Sequence, residues 1–354
     1  MADPINVADF EEAARELLDP GAYGYFAGGA GDEWTLAENV AAFRRWRLRP
    51  RVLVDVSTTT TETEVLGRPV ASPVLIAPTG FQRLAHPDGE GAAARAAAAA
   101  GTVFCLSTRA SVTPAELATA APDCRRWFQL YWSRDREFTR NLLAEVVESG
   151  FEAIVLTVDL PVVGTRERDL RERFRLPEDL PAPNSPGGLG GLTFEDALAE
   201  IVDPRLTWRD LEWLRETCPL PLVVKGILTS EDALLAVEHG ADAVVVSNHG
   251  GRQLDGVPAS LEVLPEVVEA VADRIEVLLD GGVRRGIDVL VALALGARAV
   301  LVGRPAIWGL AVGGEAGVAR VLELLRAEVA LGLKLLGCPS PGDVGPTAVA
   351  RNPG

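Results

Sequence analysis

Eight short apolar runs recur along the chain, and a longer segment rich in helix-forming residues follows each of them. The runs are PVLIAP (73–78), TVFCLS (102–107), RRWFQLYW (125–132), EAIVLTVD (152–159), PLVVKG (221–226), DAVVVSNHG (242–250), IEVLLDGG (275–282) and ARAVLVGR (297–304). Successive apolar positions are typical of parallel strands that are buried on both faces. Eight such strands close into a barrel, so we predict an α/β fold, a TIM (β/α)8 barrel over residues 70–335. An open doubly wound sheet is the alternative, although no GxGxxG motif follows the first run.

The rest of the chain is expected to complete one domain spanning residues 1–354. Residues 1–70 form an N-terminal helical cap that leads into the barrel through a hairpin-like stretch, EVLGRPVASP. The fourth unit is interrupted by an insertion over residues 160–206, which includes LPEDLPAPNSPGGLGG. Its Pro and Gly content disfavours a regular element, so it is either a lid over the barrel mouth or a linker.

The charge balance excludes several classes of function. With 34 basic and 50 acidic residues the net charge is −16, which repels nucleic acid and anionic membranes. The N-terminus resembles no secretory signal and the apolar runs are too short to span a bilayer, so we expect a cytoplasmic protein with no membrane or nucleic-acid partner. The four cysteines are scattered, which indicates neither a disulfide framework nor a metal site.

Polar residues collect where the predicted strands end, which is where barrels of this kind carry their chemistry. In chain order they are Pro78, Thr79, Gly80, Ser107, Gln129, Tyr131, Thr157, Asp159, Lys225, Ser247, Asn248, His249, Asp280, Gly281, Gly282, Gly303 and Arg304. Taken one at a time, such residues are often found at strand ends simply because they form turns or cap helices. Because polar residues occur at the ends of all eight predicted strands, the sequence indicates a binding site at that end of the barrel.

The last two strand ends indicate a phosphate site. DGGVRRG and VGRP put glycines and arginines after strands 7 and 8, where barrels build such sites from backbone N–H groups and a helix N-terminus. Arg284 or Arg304 would neutralise the phosphate, unless these residues are only helix ends and solvated side chains. A flavin mononucleotide (FMN) would fill the ring of polar strand ends.

Several motifs are similar to those of one enzyme family. They include YGYFAGGAGDEWTLAEN, APTGFQRLAHPDGEGAAARAA, FQLYW, LTVDLPVVGTRERDLRERF, VVKGI, SNHGGRQLDG, LDGGVRRGIDVLVALALGA and VGRP. Together they resemble the FMN-dependent family that oxidises 2-hydroxy acids and includes glycolate oxidase, lactate oxidase and mandelate dehydrogenase. The resemblance runs from about residue 5 to residue 340.

This resemblance implies roles for the polar residues. His249 is the base that removes a proton from the substrate, and Asp159 orients it and stabilises the imidazolium. Arg166 and Arg252 hold the substrate carboxylate, and the hydroxyls of Tyr25 and Tyr131 reach the substrate. The implied FMN contacts are Pro78, Thr79 and Gly80 beside the ring, Ser107, Gln129 and Thr157 at the ring, Lys225 at its N1 edge, Ser247 at the ribityl chain, and Asp280, Gly281, Gly282, Arg284, Gly303 and Arg304 at the ribityl chain and phosphate.

Two positions depart from the short-chain members of that family. Arg109 stands where those oxidases have a tryptophan, so it either changes the pocket shape or meets a second acidic or polar group of the substrate. Gly80 replaces an alanine and resembles the mandelate-type members. A missing Cβ there is expected to make room for an aromatic or longer 2-hydroxy acid.

The resulting prediction is an (S)-2-hydroxy acid oxidase of the mandelate or 4-hydroxymandelate type that passes electrons to oxygen and forms a homotetramer. The alternatives are a dehydrogenase with another acceptor, a short-chain lactate or glycolate oxidase, a different FMN- or phosphate-binding barrel such as an isomerase, and a flavin-binding protein without turnover.

Overall fold

A computed structural model describes residues 4–185, 192, 193, 196 and 202–352. Within these residues, eight parallel strands close into a barrel, which confirms the predicted TIM barrel and excludes the open sheet. The barrel strands are β4 (Val74–Ile76), β5 (Val103–Ser107), β6 (Arg125–Leu130), β7 (Ile154–Thr157), β8 (Leu222–Ile227), β9 (Ala243–Val246), β10 (Glu276–Asp280) and β11 (Ala299–Val302). Around the barrel each strand neighbours the next in the chain, and β11 closes the ring by pairing with β4.

Alternation along the strands separates the barrel interior from the surface under the helices. Leu75, Cys105, Trp127, Val155 and Leu278 belong to one buried cluster, and their immediate neighbours pack with the surrounding helices. Because side chains two positions apart point to the same face, the next interior positions can be read directly from the sequence. They are Ala77, Ser107, Gln129, Thr157, Lys225, Ser247, Asp280 and Gly303. The apolar core therefore ends in a largely polar layer at the carboxyl rim.

Helices surround the barrel and cover the apolar outer face of its strands. Their bounds are α4 (Gly89–Ala99), α5 (Pro114–Ala120), α6 (Arg136–Glu148), α7 (Glu167–Glu172), α8 (Asp210–Thr217), α9 (Ser230–Glu238), α10 (Ser260–Val271), α11 (Gly286–Ala294) and α12 (Arg304–Leu336). α12 is kinked at Gly313 and Gly314, where the backbone leaves helical geometry. In the described ranges, no helix is both long enough and apolar enough to cross a membrane.

The N-terminal region is helical, as expected, and lies against the barrel. It contains α1 (Val7–Leu17), α2 (Pro20–Ala27) and α3 (Trp34–Ala41), and α1 packs on α12. The predicted hairpin is present as β2 (Thr63–Val65) paired with β3 (Arg68–Val70). A further strand, β1 (Trp46–Leu48), pairs with β12 (Val349–Arg351) and so joins the N-terminal region to the C-terminal segment.

The described part of the 160–206 insertion packs on the N-terminal helices. Arg168 forms an ion pair with Glu33 at 2.5 Å, and the ring of Phe174 lies 5.7 Å from that of Tyr25. The backbone N–H of Gly31 donates to the carbonyl oxygen of Thr165 at 3.0 Å. Residues 186–191, 194, 195 and 197–201 of the predicted lid or linker lie outside the described residues.

Candidate active site

A cleft opens at the carboxyl ends of the barrel strands, under α2. It encloses about 920 Å³, including the part that is open to solvent. Most of the residues singled out from the sequence line it. They are Tyr25, Pro78, Thr79, Gly80, Ser107, Arg109, Tyr131, Arg166, Lys225, His249, Arg252, Asp280, Gly281, Gly282, Arg284, Gly303 and Arg304.

Four predicted site residues do not line the cleft itself. Asp159 and Thr157 line a neighbouring cavity on the β7–β8 side. Gln129 lies behind Ser107, whose hydroxyl donates to Gln129 Oε1 at 2.9 Å. Ser247 lies behind Lys225 and accepts from its ammonium group at 3.0 Å. Asp159, Gln129 and Ser247 therefore reach the cleft through another side chain, whereas Thr157 has no such link among the residues that the structure describes.

His249 is the central group of the cleft. Its Nδ1 lies 2.9 Å from Asp159 Oδ1, so Nδ1–H donates a hydrogen bond to the carboxylate. The lone pair of Nε2 is then available to take a proton. Burial lowers the pKa of His249, the Asp159 carboxylate opposes that shift, and nearby Lys225 lowers the pKa further. The imidazole is therefore neutral near pH 7, as a proton acceptor must be.

The carboxylate behind the histidine is charged. Burial alone would raise the pKa of Asp159, but His249 and Lys225 together lower it below its ordinary value. Asp159 thus carries a negative charge that would stabilise a protonated His249. This pairing of an oriented imidazole with a buried carboxylate is a recurring arrangement of general bases.

His249 adopts a backbone conformation that is unusual for a residue with a side chain. Its φ of 57° is in the left-handed region, which costs an L-residue about 1–2 kcal/mol. Its N–H donates to Ser247 Oγ at 3.0 Å, and the preceding Asn248 is held by a buried pair of hydrogen bonds with Asn39. The surrounding contacts therefore maintain a strained residue at the centre of the site, as is frequent in functional sites.

Arg252 and Arg304 are held by the C-terminal end of α2. Arg252 Nη1 donates to the carbonyl oxygens of Tyr25 at 2.7 Å and Gly28 at 2.8 Å. Arg304 donates to Phe26 O at 3.0 Å, Gly250 O at 3.0 Å and Gly28 O at 2.9 Å. The last carbonyls of a helix carry partial negative charge and favour cations. The N-terminal cap therefore fixes two guanidinium groups at the rim of the cleft.

Among the described residues that line the cleft, basic side chains outnumber acidic ones. Burial and the neighbouring Arg252 lower the pKa of Arg166 to about 9. Burial also lowers the pKa of Arg304, with Arg252 and Arg284 adding to the shift. These shifts report mainly that the guanidinium groups are buried, and secondarily that like charges lie close to them; an anionic ligand would offset both costs. Asp169, half-buried near Arg166 and Arg252, offsets part of these costs.

Lys225 has an acid partner within the cleft. Its Nζ lies 3.0 Å from Asp280 Oδ2. Burial alone would lower the pKa of Lys225, but Asp280 and Asp159 raise it above its ordinary value. The ammonium group therefore stays charged at the floor of the cleft.

The two tyrosines of the cleft keep their phenolic protons. Burial raises the pKa of Tyr25, and burial together with Asp159 raises the pKa of Tyr131 to about 12. Both hydroxyls can therefore donate a hydrogen bond to a ligand at neutral pH.

One end of the cleft can hold a phosphate group. α12 begins there at Arg304, after Gly303, and no side chain caps its first N–H groups. A Cβ at Gly303 would have its nearest neighbours 3.6 Å away at Thr79 and 3.8 Å away at Ala77, so a side chain would occupy the cleft itself. A bare helix N-terminus beside Arg284 suits a dianion. Gln129 Nε2, behind Ser107, is buried without a hydrogen-bond partner among the described residues.

The structure corrects the reason given for Gly80. A Cβ at this position would lie 2.6 Å from Arg109 Cβ and 3.2 Å from the Arg109 carbonyl oxygen. Gly80 therefore accommodates Arg109, and the expectation that it opens space for a larger substrate is wrong. Arg109 itself is 2% exposed and donates from Nη1 to Ser185 Oγ at 3.4 Å.

Asn39 and Gln253, which the sequence patterns did not single out, hold the site from outside. Asn39 and Asn248 exchange side-chain hydrogen bonds at 2.8 Å in both directions. Gln253 Nε2 donates to the carbonyl oxygens of Asp159 and Val162, each at 2.9 Å. Asn39 is 209 residues from its partner, so no local pattern could have revealed the pair. Both residues do lie in motifs that carry the family resemblance, which is the one signal the sequence offers.

Comparison with known proteins gives a consistent result. A sequence model described as FMN-dependent dehydrogenase matches residues 14–351. The chain is 50% identical to the L-lactate oxidase of Nostoc sp., over 97% of each protein. It is 47% identical to 2-hydroxyacid oxidase 1 of Homo sapiens, over 99% of this chain and 97% of that protein. A crystal structure of mandelate oxidase is similar with a TM-score of 0.91 and 46% identity, covering 96% of this chain and 97% of that one.

Proposed function

The chain belongs to the family of FMN-dependent dehydrogenases, and from that premise we propose that it oxidises an (S)-2-hydroxy acid to the 2-oxo acid, with oxygen as the electron acceptor. The observation that carries the proposal is the position of the His249 imidazole, neutral and oriented by Asp159 at 2.9 Å, in a cleft that Arg166 and Arg252 also line. A base beside a carboxylate-binding pair is what removal of a proton from a 2-hydroxy acid requires.

The residues of the cleft suit FMN, on which the family depends. The bare N-terminus of α12, Gly303 and the Arg284 side chain would hold the phosphate. Thr79, Ser107, Gln129 and Lys225 would contact the ring system, with Asp280 and Ser247 keeping Lys225 in place. When bound there, FMN supplies the acceptor for the two electrons that the substrate loses.

The protein side chains do the acid–base work. Arg166 and Arg252 bind the substrate carboxylate, and because a guanidinium group pairs with a planar carboxylate through two parallel hydrogen bonds, they fix its orientation. The Tyr25 and Tyr131 hydroxyls donate hydrogen bonds to the substrate oxygens. His249 Nε2 takes the substrate proton, and the charged Asp159 stabilises the resulting imidazolium.

Whether electrons pass to oxygen is tested by reduction followed by reoxidation. Purified protein should be yellow, lose its flavin absorption when a 2-hydroxy acid is added without air, and regain it rapidly on admission of oxygen. The His249→Gln variant should bind FMN but lose absorption far more slowly. Colourless protein that does not take up FMN would refute the proposal, and slow reoxidation would identify a dehydrogenase with another acceptor.

Three finer points of the proposal are the substrate side chain, the cellular location and the oligomeric state. The relatives are named for lactate, mandelate and 2-hydroxy acids in general, and the likeness to mandelate oxidase supports the expected mandelate or 4-hydroxymandelate type. Values of kcat/KM for mandelate, 4-hydroxymandelate, lactate and glycolate test it, and a clear glycolate preference would contradict it. Cytoplasmic location and a homotetramer stay predictions, which fractionation and light scattering can test.

A further inference from the structure

Glu90 is a buried acid near the cleft that the proposed chemistry does not use. It is the second residue of α4 and is 0% exposed. It does not line the cleft itself. Burying a carboxyl group is costly unless its oxygens are hydrogen-bonded, so the bonds that Glu90 makes indicate what it does.

One oxygen of Glu90 joins two loops at the mouth of the barrel. Glu90 Oε1 accepts from the backbone N–H of Gln82 at 3.1 Å and from that of Ser111 at 2.9 Å. Gln82 lies in the loop after β4, and Ser111 lies in the loop after β5. Both bonds are buried, so this oxygen takes the place of the water that would otherwise satisfy the two N–H groups. The carboxyl group therefore links two loops that α4 and β5 separate along the chain.

The two linked loops form one wall of the cleft. The residues of these loops and of the end of β5 that line the cleft are Thr79, Gly80, Ser107 and Arg109. The loops also bond to each other directly, since the N–H of Phe81 donates to the carbonyl oxygen of Arg109 at 2.7 Å. Glu90 therefore holds this wall from behind, beside a bond that joins the same two loops.

The backbone at Phe81 is strained. Its φ of 55° is in the left-handed region, which residues with a side chain rarely adopt. Such a conformation persists only where the surrounding structure determines it. Arg109 holds the N–H of Phe81, and Glu90 holds the next N–H, that of Gln82. Loss of the Glu90 oxygen would remove one of these two bonds, so the preceding residues Thr79 and Gly80 are expected to shift.

Glu90 and its two partners each have a second buried polar atom. Glu90 Oε2, Gln82 Oε1 and Ser111 Oγ have no hydrogen-bond partner among the described residues. Burial raises the pKa of Glu90, and the N–H groups of Ser111 and Gln82 oppose the shift. The raised pKa favours the neutral carboxyl group, which carries one O–H donor and which a glutamine side chain resembles in shape and hydrogen bonding.

Resting on the proposed function, we propose that Glu90 is a positioning residue for the oxidation. By linking the loops after β4 and β5, it fixes the wall that carries Thr79 and Ser107, which would contact the ring system of FMN. Reaction rates depend steeply on the placement of the reacting groups, so a shifted wall slows the reaction although no reacting group is lost. Arg166 and Arg252 follow other strands, β7 and β9, and binding of the substrate carboxylate should change little.

Three variants separate the link from the charge of the side chain. Glu90→Met removes both oxygens, so kcat and the stopped-flow rate of flavin reduction should fall by about ten- to a hundred-fold, while KM changes by less than about three-fold. Glu90→Gln keeps an oxygen for the two N–H groups, so both rates should stay within about three-fold of those of the unaltered enzyme. Glu90→Asp keeps the charge but withdraws the oxygens by one methylene, so it should lose rate as Glu90→Met does. If Glu90→Met does not fold, the contrast between the Asp and Gln variants decides.

Binding of FMN gives a readout that does not depend on turnover. The dissociation constant of FMN, measured by titrating the apoprotein and following flavin fluorescence, should rise by about three- to ten-fold in Glu90→Met and stay unchanged in Glu90→Gln. Glu276→Met is the matched control. Glu276 accepts from the N–H of Leu66 at 2.9 Å and begins β10, so it lies at the opposite end of the barrel from the cleft. Its loss should lower Tm but leave kcat and FMN binding unchanged.

The outcomes separate this inference from the function on which it rests. If Glu90→Met and Glu90→Asp lower Tm but keep the reduction rate and the FMN affinity, as Glu276→Met should, the positioning role is overturned. A Glu90→Gln enzyme as slow as Glu90→Met would also overturn it, because glutamine keeps the link. If no 2-hydroxy acid reduces the flavin of the unaltered enzyme, the proposed function fails, whereas the FMN titrations still test the role of Glu90.

Discussion

The buried pair of Asn39 and Asn248 gives a sharp test of how the N-terminal cap supports the active site. The orientation of both amides is determined by partners outside the pair. Asn248 Oδ1 accepts from the Gly251 N–H at 3.1 Å, and its Nδ2 donates to Pro258 O at 3.1 Å. Asn39 Oδ1 accepts from the Ser260 N–H at 3.3 Å. Neither amide can flip without losing these bonds, so each side chain must present both a donor and an acceptor to the other.

Replacing Asn39 with alanine removes both bonds of the pair and the acceptor for Ser260. At about 1 kcal/mol for each hydrogen bond and about 1–3 kcal/mol for a buried donor left unsatisfied, the expected loss is about 4 kcal/mol. For a chain of 354 residues this lowers Tm by about 5 °C, using the average unfolding entropy per residue. Because Asn248 precedes the strained His249, kcat should also fall by about ten- to a hundred-fold.

The Asn39→Asp variant separates hydrogen-bond chemistry from side-chain size. It keeps the shape but turns an oxygen towards Asn248 Oδ1, so it should be at least as destabilising as alanine. Asn6→Ala is the matched control: Asn6 caps α1 at the surface by accepting from Ala8 at 2.8 Å and Asp9 at 3.1 Å, so its loss should cost about 1 kcal/mol and leave kcat unchanged. Thermal unfolding and steady-state kinetics supply both readouts. An Asn39→Asp enzyme with unaltered Tm and kcat would refute the reasoning.

Two further predictions concern the base. Asp159→Asn removes the acceptor that fixes the Nδ1 proton of His249, so kcat should fall by about 10²- to 10⁴-fold with FMN still bound; a loss below about ten-fold in stopped-flow reduction of the flavin would contradict the role of Asp159. Because His249 must be neutral to act and burial lowers its pKa, kcat/KM should rise with pH to a plateau with its midpoint below 6.5, the ordinary His value. A midpoint above that value would count against His249 as the base. Since Asp159 opposes the downward shift, the midpoint should move still lower in Asp159→Asn.

The barrel could be predicted because its signal is local. Consecutive apolar residues indicate each strand. Side chains two positions apart share a face, so the alternation that buries Val155 and Cys105 inside the barrel also places Thr157 and Ser107 on the interior side of the rim. Strand ends in a parallel barrel meet at one face, so polar residues at successive ends converge without any knowledge of loops. That is why most of the predicted site residues line a single cleft.

What could not be predicted depends on contacts between distant loops. A Cβ at Gly80 would collide with Arg109 because the loop after β5 brings Arg109 beside Gly80. The sequence alone does not show that these two residues lie close together. The Asn39–Asn248 pair likewise joins the cap to the loop after β9. Thr157 lies on the interior face of β7, as the other rim residues do on their strands. It nevertheless lines the neighbouring cavity on the β7–β8 side, and not the cleft.

The role of α2 shows why the cap belongs to the active site. A barrel rim that presents Arg252 and Arg304 side by side needs negative charge to hold them, and the carbonyl oxygens at the end of α2 supply it without a carboxylate that would compete with the substrate. All three nitrogens of Arg304 donate to backbone carbonyls, whereas the Arg284 side chain, within the described part of the chain, donates to Val283 O alone, at 3.0 Å. Arg304 is therefore suited to bind a phosphate through its backbone N–H and long-range charge, and Arg284 through its side chain. The two arginines look equivalent in the sequence, but their side chains have different roles: that of Arg304 is structural, and that of Arg284 would bind the phosphate.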